Sequence, residues 1–150
     1  MVRNFLGLLA LAACVLVAPA CEQDSGEPTA EYVDGQSADT DDGAFQVTLF
    51  HQDGAPSVGE NTFYIRVAVV DPAEPEDEGR GVPNLEVNLA ASMVSDDHAM
   101  PTVPVVTYEE DGVYRVEGVM LDRPGGWSLD FDLGFNSIQE QVSFGFMVED

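Results

Sequence analysis

Cysteine is scarce in this chain, and both cysteines, Cys14 and Cys21, lie near the N-terminus. Without a cysteine beyond position 21, the remaining residues cannot form a disulfide framework, a CxxC redox pair or a zinc knuckle, and they offer no cysteine nucleophile. We therefore expect stability to come from an ordinary hydrophobic core, and the chain is long enough to build one in a single domain.

Basic side chains are also few. The chain carries five of them, all arginine, against 28 acidic residues, for a formal net charge of −23. The phosphate backbone of a nucleic acid and the surface of an anionic membrane would both be repelled. The sequence therefore predicts no nucleic-acid partner, and only a covalent lipid would attach the domain to a membrane.

Catalytic signatures are missing too. There are two histidines, no G-x-S-x-G elbow for a serine nucleophile and no glycine-rich phosphate loop. No pair of carboxylates is marked by its sequence context as a glycosidase pair. The sequence predicts that the protein is not an enzyme.

The N-terminus has the pattern of a bacterial export signal. Arg3 is followed by an apolar run from Phe5 to Ala18, which is shorter than the roughly 18 to 20 residues of a permanent membrane span. We predict a signal peptide over residues 1–20 and lipidation of Cys21, with Cys14 as the alternative lipidation site and ordinary signal peptidase cleavage as a third outcome. The predicted location is the cell envelope, where a lipid anchor in the bacterial membrane would hold the protein facing the periplasm or the cell surface.

Residues 21–43 are acidic, contain no basic residue and have little apolar surface besides Tyr32 and Val33. Such a segment cannot offset its chain entropy by burial, and its like charges extend it. We expect a disordered tether here and a folded domain over residues 44–150.

From Ala44 onward, apolar and polar residues alternate with a period of two, which indicates strands. No segment shows a helical period for more than a turn or two. About seven short strands with one apolar face predict an all-β, immunoglobulin-like antiparallel sandwich. We expect Trp127 in its core, a hairpin turn at Asp111-Gly112 and another turn at Pro124-Gly125-Gly126. The predicted strands are centred on residues 45–49, 62–69, 85–89, 103–106, 114–120, 127–133 and 142–148.

Several short motifs occur in the order seen in YtkA-like domains, which are small exported modules related to the FixH group. The residues that carry this resemblance span about 44–133 and are Val58–Phe63, Gly81-Val82-Pro83, Ser92–Pro101, Asp111–Tyr114 and Pro124–Trp127. The resemblance implies an immunoglobulin-like sandwich, often exported or tethered, without an established enzymatic activity. Some relatives are associated with copper handling or with the assembly of respiratory oxidases. The family's Met-Pro-x-Met-Gly-His type of segment occurs here only in altered form, without a Gly-His pair.

The candidate metal ligands are Met93, His98 and Met100, with His51 as a distant fourth. Thioethers and imidazole suit Cu(I), while the carboxylates of Asp96 and Asp97 beside an imidazole could hold Cu(II). This spacing permits a copper site without being diagnostic of one, because methionine also fills cores and a loop histidine is often only solvated.

Tyr64 and Arg66 form a second candidate site, because alternation places both on the outward face of their strand. Aromatic residues and arginine are enriched at interfaces, so this face could bind an envelope protein. The sequence favours a non-catalytic, surface-tethered binding or accessory module. The alternative is a periplasmic copper-binding or copper-delivery module that uses the loop from Met93 to Met100.

Overall fold

The computed structural model describes residues 30–71, 73, 78–96 and 98–150. All regular elements in this part of the chain are strands, and all paired strands run antiparallel. They are β1 (Gln36–Asp39), β2 (Gln46–His51), β3 (Gly59–Val69), β4 (Arg80–Gly81), β5 (Glu86–Met93), β6 (Val105–Tyr108), β7 (Val113–Leu121), β8 (Gly125–Phe135) and β9 (Ile138–Val148). The described residues include no helix long and apolar enough to cross a membrane.

The strands form two sheets that pack face to face. The larger sheet has the order β1-β2-β3-β7-β6, with β4 paired to the end of β3, and the smaller has the order β5-β8-β9. Inward-facing side chains alternate with solvent-facing ones along β2, β3, β7, β8 and β9, so both sheets contribute to one core. The predicted all-β sandwich is confirmed, and Trp127 lies in its core with 0% exposure.

Structure and prediction differ most in residues 30–43, which were predicted to be part of a disordered tether. β1 lies within residues 36–39 and pairs with β2, while Tyr32 packs against the core. The same segment also reaches the other sheet, because Ala30 O accepts a hydrogen bond from Met147 N–H and Asp41 N–H donates to Gln141 O, both in β9. The folded part therefore begins before Ala44. The entropy that residues 30–43 lose on ordering is offset by their pairing with the edges of β2 and β9.

The turns partly match the expectations. Asp111 and Gly112 both have positive φ, 48° and 76°, as a type I′ hairpin turn requires, so the predicted hairpin between β6 and β7 is confirmed. The predicted turn at residues 124–126 is wrong in part, since Gly125 and Gly126 already belong to β8. The strand expected at 103–106 lies instead at Val105–Tyr108.

Candidate metal centre

The metal candidates at the end of β5 and just after it lie on a short two-stranded ribbon. The chain turns after Met93 and returns so that Ala99 forms an antiparallel bridge with Ser92. Two backbone hydrogen bonds of 2.8 Å flank this bridge, from Met93 N–H to His98 O and from Met100 N–H to Ala91 O. Because residues opposite each other in an antiparallel pair share a face, Met93, His98 and Met100 all lie on the face opposite to Ser92 and Ala99.

This face of the ribbon is turned toward the core. Met93 is 7% exposed and lies opposite Trp127 in the β5–β8 pairing. The rings of His98 and Trp127 meet edge to face, with centroids 5.9 Å apart. Met100 is partly buried against the same core. One imidazole and two thioethers thus lie on the same face of the ribbon at the rim of the sandwich, next to the only tryptophan of the chain.

Asp122, which follows β7, holds the His98 ring. Its Oδ1 lies 2.7 Å from His98 Nε2, and this hydrogen bond is the main cause that lowers the pKa of Asp122. A histidine that binds a metal through one ring nitrogen commonly donates its other N–H to a carboxylate, which fixes the tautomer. In this arrangement Asp122 orients the ring through Nε2, and Nδ1 is the ring nitrogen that would face a metal.

The neighbouring carboxylates are used differently. Asp96 Oδ1 accepts a hydrogen bond from His98 N–H at 3.2 Å, and Asp96 Oδ2 pairs with Arg123 at 3.3 Å. Asp97 lies outside the described residues. Within the described ranges, no three His, Cys, Asp or Glu side chains come together as a metal-binding group. Besides the His98 imidazole, the candidate donors that share this face of the ribbon are thioethers, rather than the carboxylates that suit hard cations.

His51 is not brought to this ribbon. Asp53 N–H donates to His51 Nδ1 at 3.2 Å, so Nε2 carries the ring proton and donates to Asn61 Oδ1 at 3.1 Å. The ring also packs edge-on against Tyr32 and Phe63. Both ring nitrogens of His51 therefore have hydrogen-bond partners in this local network, away from the ribbon.

The second candidate pair, Tyr64 and Arg66, does share the outward face of β3, and both side chains are half-buried. The Arg66 guanidinium is engaged within the domain: it donates to the carbonyls of Glu78 and Gly79 and pairs with Asp111 at 3.3 Å. Its observed contacts thus hold the chain that leads into β4. Cys14 and Cys21, the two candidate lipidation sites, lie outside the described residues.

Sequence reasoning missed two neighbours of the ribbon. Trp127 was expected only as a core residue, and Asp122 was not singled out at all. Asp122 is 24 positions away from His98 along the chain. Only the pairing of β5 with β8 and the position where β7 ends bring these side chains together, and no local motif could indicate that.

Solved structures of other proteins share this fold. No protein-family model matches the chain, and no curated protein sequence does. A copper-bound variant of FetP from uropathogenic Escherichia coli strain F11 superimposes with a TM-score of 0.52 at 8% identity, over 78% of this chain and 96% of that one. FetP of the same strain, as isolated, gives 0.51 at 10% identity over 77% and 94%.

The third is the copper-reconstituted P19 protein from Campylobacter jejuni, with a TM-score of 0.50 at 11% identity over 82% of this chain and 96% of that one. At such identities the similarity establishes the sandwich architecture only. The assignment of a ligand set must come from the residues of this chain.

Proposed function

We propose that this protein is an exported, non-catalytic copper-binding module, and that Met93, His98 and Met100 supply its ligands. The observation that carries the proposal is the bridge between Ser92 and Ala99, which places these three side chains on one face of a ribbon. Two thioethers with one imidazole form a donor set suited to Cu(I). Two of the structures with the same fold are themselves described as copper-bound or copper-reconstituted.

The surroundings of the ribbon favour a cation. The formal net charge of −23 raises the local concentration of positive ions around the molecule. Asp122 would act through His98, by fixing the ring and making it a better ligand. A bound ion would sit at the rim of the sandwich, from which a partner could receive it, and this position suits capture or delivery of an ion better than turnover of a substrate.

Export and anchoring complete the proposal. A leader followed by a lipid on Cys21 would hold the module in the cell envelope, close to envelope proteins with which it could exchange copper. Mass spectrometry of the mature N-terminus tests this part separately. A diacylglyceryl mass on Cys21 is the expected result, and an unmodified cysteine there would contradict the anchor while leaving the copper proposal intact.

The copper site is tested by anaerobic titration of the purified protein with Cu(I) against a competing chelator. Trp127 is the only tryptophan and its ring lies 5.9 Å from that of His98, so its fluorescence reports binding at this ribbon directly. We expect one equivalent of Cu(I) to be retained and Trp127 emission to be quenched. The double substitution His98→Ala, Met100→Ala should abolish both signals.

A matched pair of conservative variants separates ligand loss from unfolding. Met100→Leu keeps the side-chain volume but removes the thioether, and should weaken Cu(I) binding at least about tenfold. Met147→Leu makes the same change on β9, outside the ribbon, and should leave binding unchanged. Equal binding by the unsubstituted protein and the double variant would overturn the proposal.

A further inference from the structure

The end of the sandwich opposite to the metal centre contains an open apolar cavity of about 530 Å³. It lies between the β3–β4 corner of one sheet and the β8–β9 hairpin of the other. Phe45 and Val82 form its buried floor, while Val69 and Ile138 stand at its rim with 42% and 40% exposure. Small-molecule sites typically have volumes of roughly 300 to 1,000 Å³ and mostly apolar walls.

Arg80 is the one charged residue that lines this cavity. Its backbone position is fixed, because Arg80 pairs with Val69 across β3 and β4, and Arg66 holds the carbonyls of Glu78 and Gly79 just before it. The positively charged Arg80 therefore lies at the rim of the cavity, beside the exposed Val69.

The other arginines of the described part of the chain behave differently. Arg66, Arg115 and Arg123 each form an ion pair with at least one carboxylate. Among the described residues Arg80 has no such partner. A guanidinium that lines an apolar cavity and has no ion pair with a described carboxylate is complementary to an anionic group on a ligand that fills the cavity.

We propose that this cavity binds an anionic amphiphile, a molecule with a single apolar tail and a carboxylate or phosphate head. The tail would occupy the space over Phe45 and Val82 and would cover the exposed Val69 and Ile138. The head would pair with Arg80. This inference is independent of copper, because none of the cavity residues belongs to the ribbon from Ala91 to Met100.

The test is an NMR titration of the purified, isotope-labelled protein with decanoate, decyl phosphate and 1-decanol. We expect decanoate to shift the resonances of Val69, Val82 and Ile138 and to bind at least about tenfold more tightly than 1-decanol, since a charged hydrogen bond is lost with the alcohol. Comparison of decanoate with decyl phosphate distinguishes a fatty-acid source from a phosphorylated one.

Three variants sharpen the result. Arg80→Gln should weaken decanoate binding at least about tenfold and leave 1-decanol binding unchanged, while Ile138→Glu should weaken decanoate binding through charge repulsion at the rim. Arg123→Gln removes an exposed arginine at the other end of the sandwich, and it should change neither decanoate binding nor 1-decanol binding. The amide spectrum of each variant reports that it is folded. Absence of decanoate binding, shifts located elsewhere, or equal decanoate affinities in Arg80→Gln and the unsubstituted protein would overturn the proposal.

Discussion

At the scale of single residues, a few buried polar groups fix the path of the chain between the sheets. Tyr114 on β7 is 2% exposed, and its hydroxyl donates to Val82 O at 2.8 Å and accepts from Leu85 N–H at 2.9 Å. Residues 82–85 connect β4 of the larger sheet with β5 of the smaller one. One phenol therefore satisfies two backbone groups at the crossover, where no strand partner does so.

Tyr114→Phe should lower the free energy of unfolding by roughly 1 to 3 kcal/mol, because a buried N–H and a buried carbonyl lose their partner. Equilibrium urea unfolding measures this change. Tyr108→Phe is the matched control, since Tyr108 is 41% exposed and packs beside the Tyr114 ring. Equal losses in both variants would contradict a specific role of the buried hydroxyl.

Tyr32 gives the protein a predictable response to alkaline pH. Burial is the main cause that raises the pKa of Tyr32, and Asp34, which accepts its hydrogen bond at 2.9 Å, adds to the effect. A folded-state pKa above the unfolded value means that stability is fully present below about pH 10 and is lost as the pH rises above it.

Above pH 10 we expect this tyrosine to contribute a loss of no more than about 1.4 kcal/mol per pH unit. Tyr32→Phe should flatten the decline in unfolding free energy between pH 10 and 12, measured by urea unfolding at each pH. Parallel pH profiles for the two proteins would show that Tyr32 ionises as readily in the folded state as in the unfolded one.

At the scale of elements, the segment from Ala30 to Gly43 closes one side of the sandwich. It adds β1 to the edge of β2, and on either side of β1 it bonds to β9, so it covers strand edges of both sheets. Exposed strand edges promote pairing between molecules, and covering them protects against it. The acidic residues of this segment remain in solvent, while Tyr32 and Ala38 pack against the core.

A chain that begins at Gly43 should therefore be less stable than one that begins at Glu22, by about 2 kcal/mol or more, because burial of Tyr32 and the pairing of β1 are lost. Thermal and urea unfolding of the two chains measure the difference. We also expect the shorter chain to associate at concentrations where the longer one stays monomeric. Identical unfolding midpoints would mean that residues 22–42 add no stability.

At the scale of the whole molecule, the two proposed sites lie at opposite ends of one rigid sandwich. The start of β8 and the end of β5 frame the ribbon with His98, and the end of β8 and the end of β3 frame the cavity with Arg80. The same acid-rich surface surrounds both sites. This negative surface favours binding of a copper ion at the ribbon. Binding of an anionic head group at the cavity instead depends on the local positive charge of Arg80.

Much of this fold was predictable from the sequence, because the alternation of apolar residues in β2, β3, β8 and β9 directly reflects which face of each strand is buried. The Asp111-Gly112 turn was predictable because few residues tolerate positive φ. β1 was not, since its sequence QSAD has no apolar alternation and its stability comes from the neighbouring β2 edge. The candidate ligands Met93, His98 and Met100 were recognisable by residue type alone.

The sequence by itself determined the strand pattern, the strongly acidic surface and the soft donors near His98, because these properties depend on side-chain chemistry and local spacing. Only the tertiary structure decided which donors share a face, that Asp122 and Trp127 join His98, that His51 is held elsewhere, and that Arg80 stands at an apolar cavity. Each of these depends on pairing between strands far apart in the chain, where register is set by the packing of the whole core.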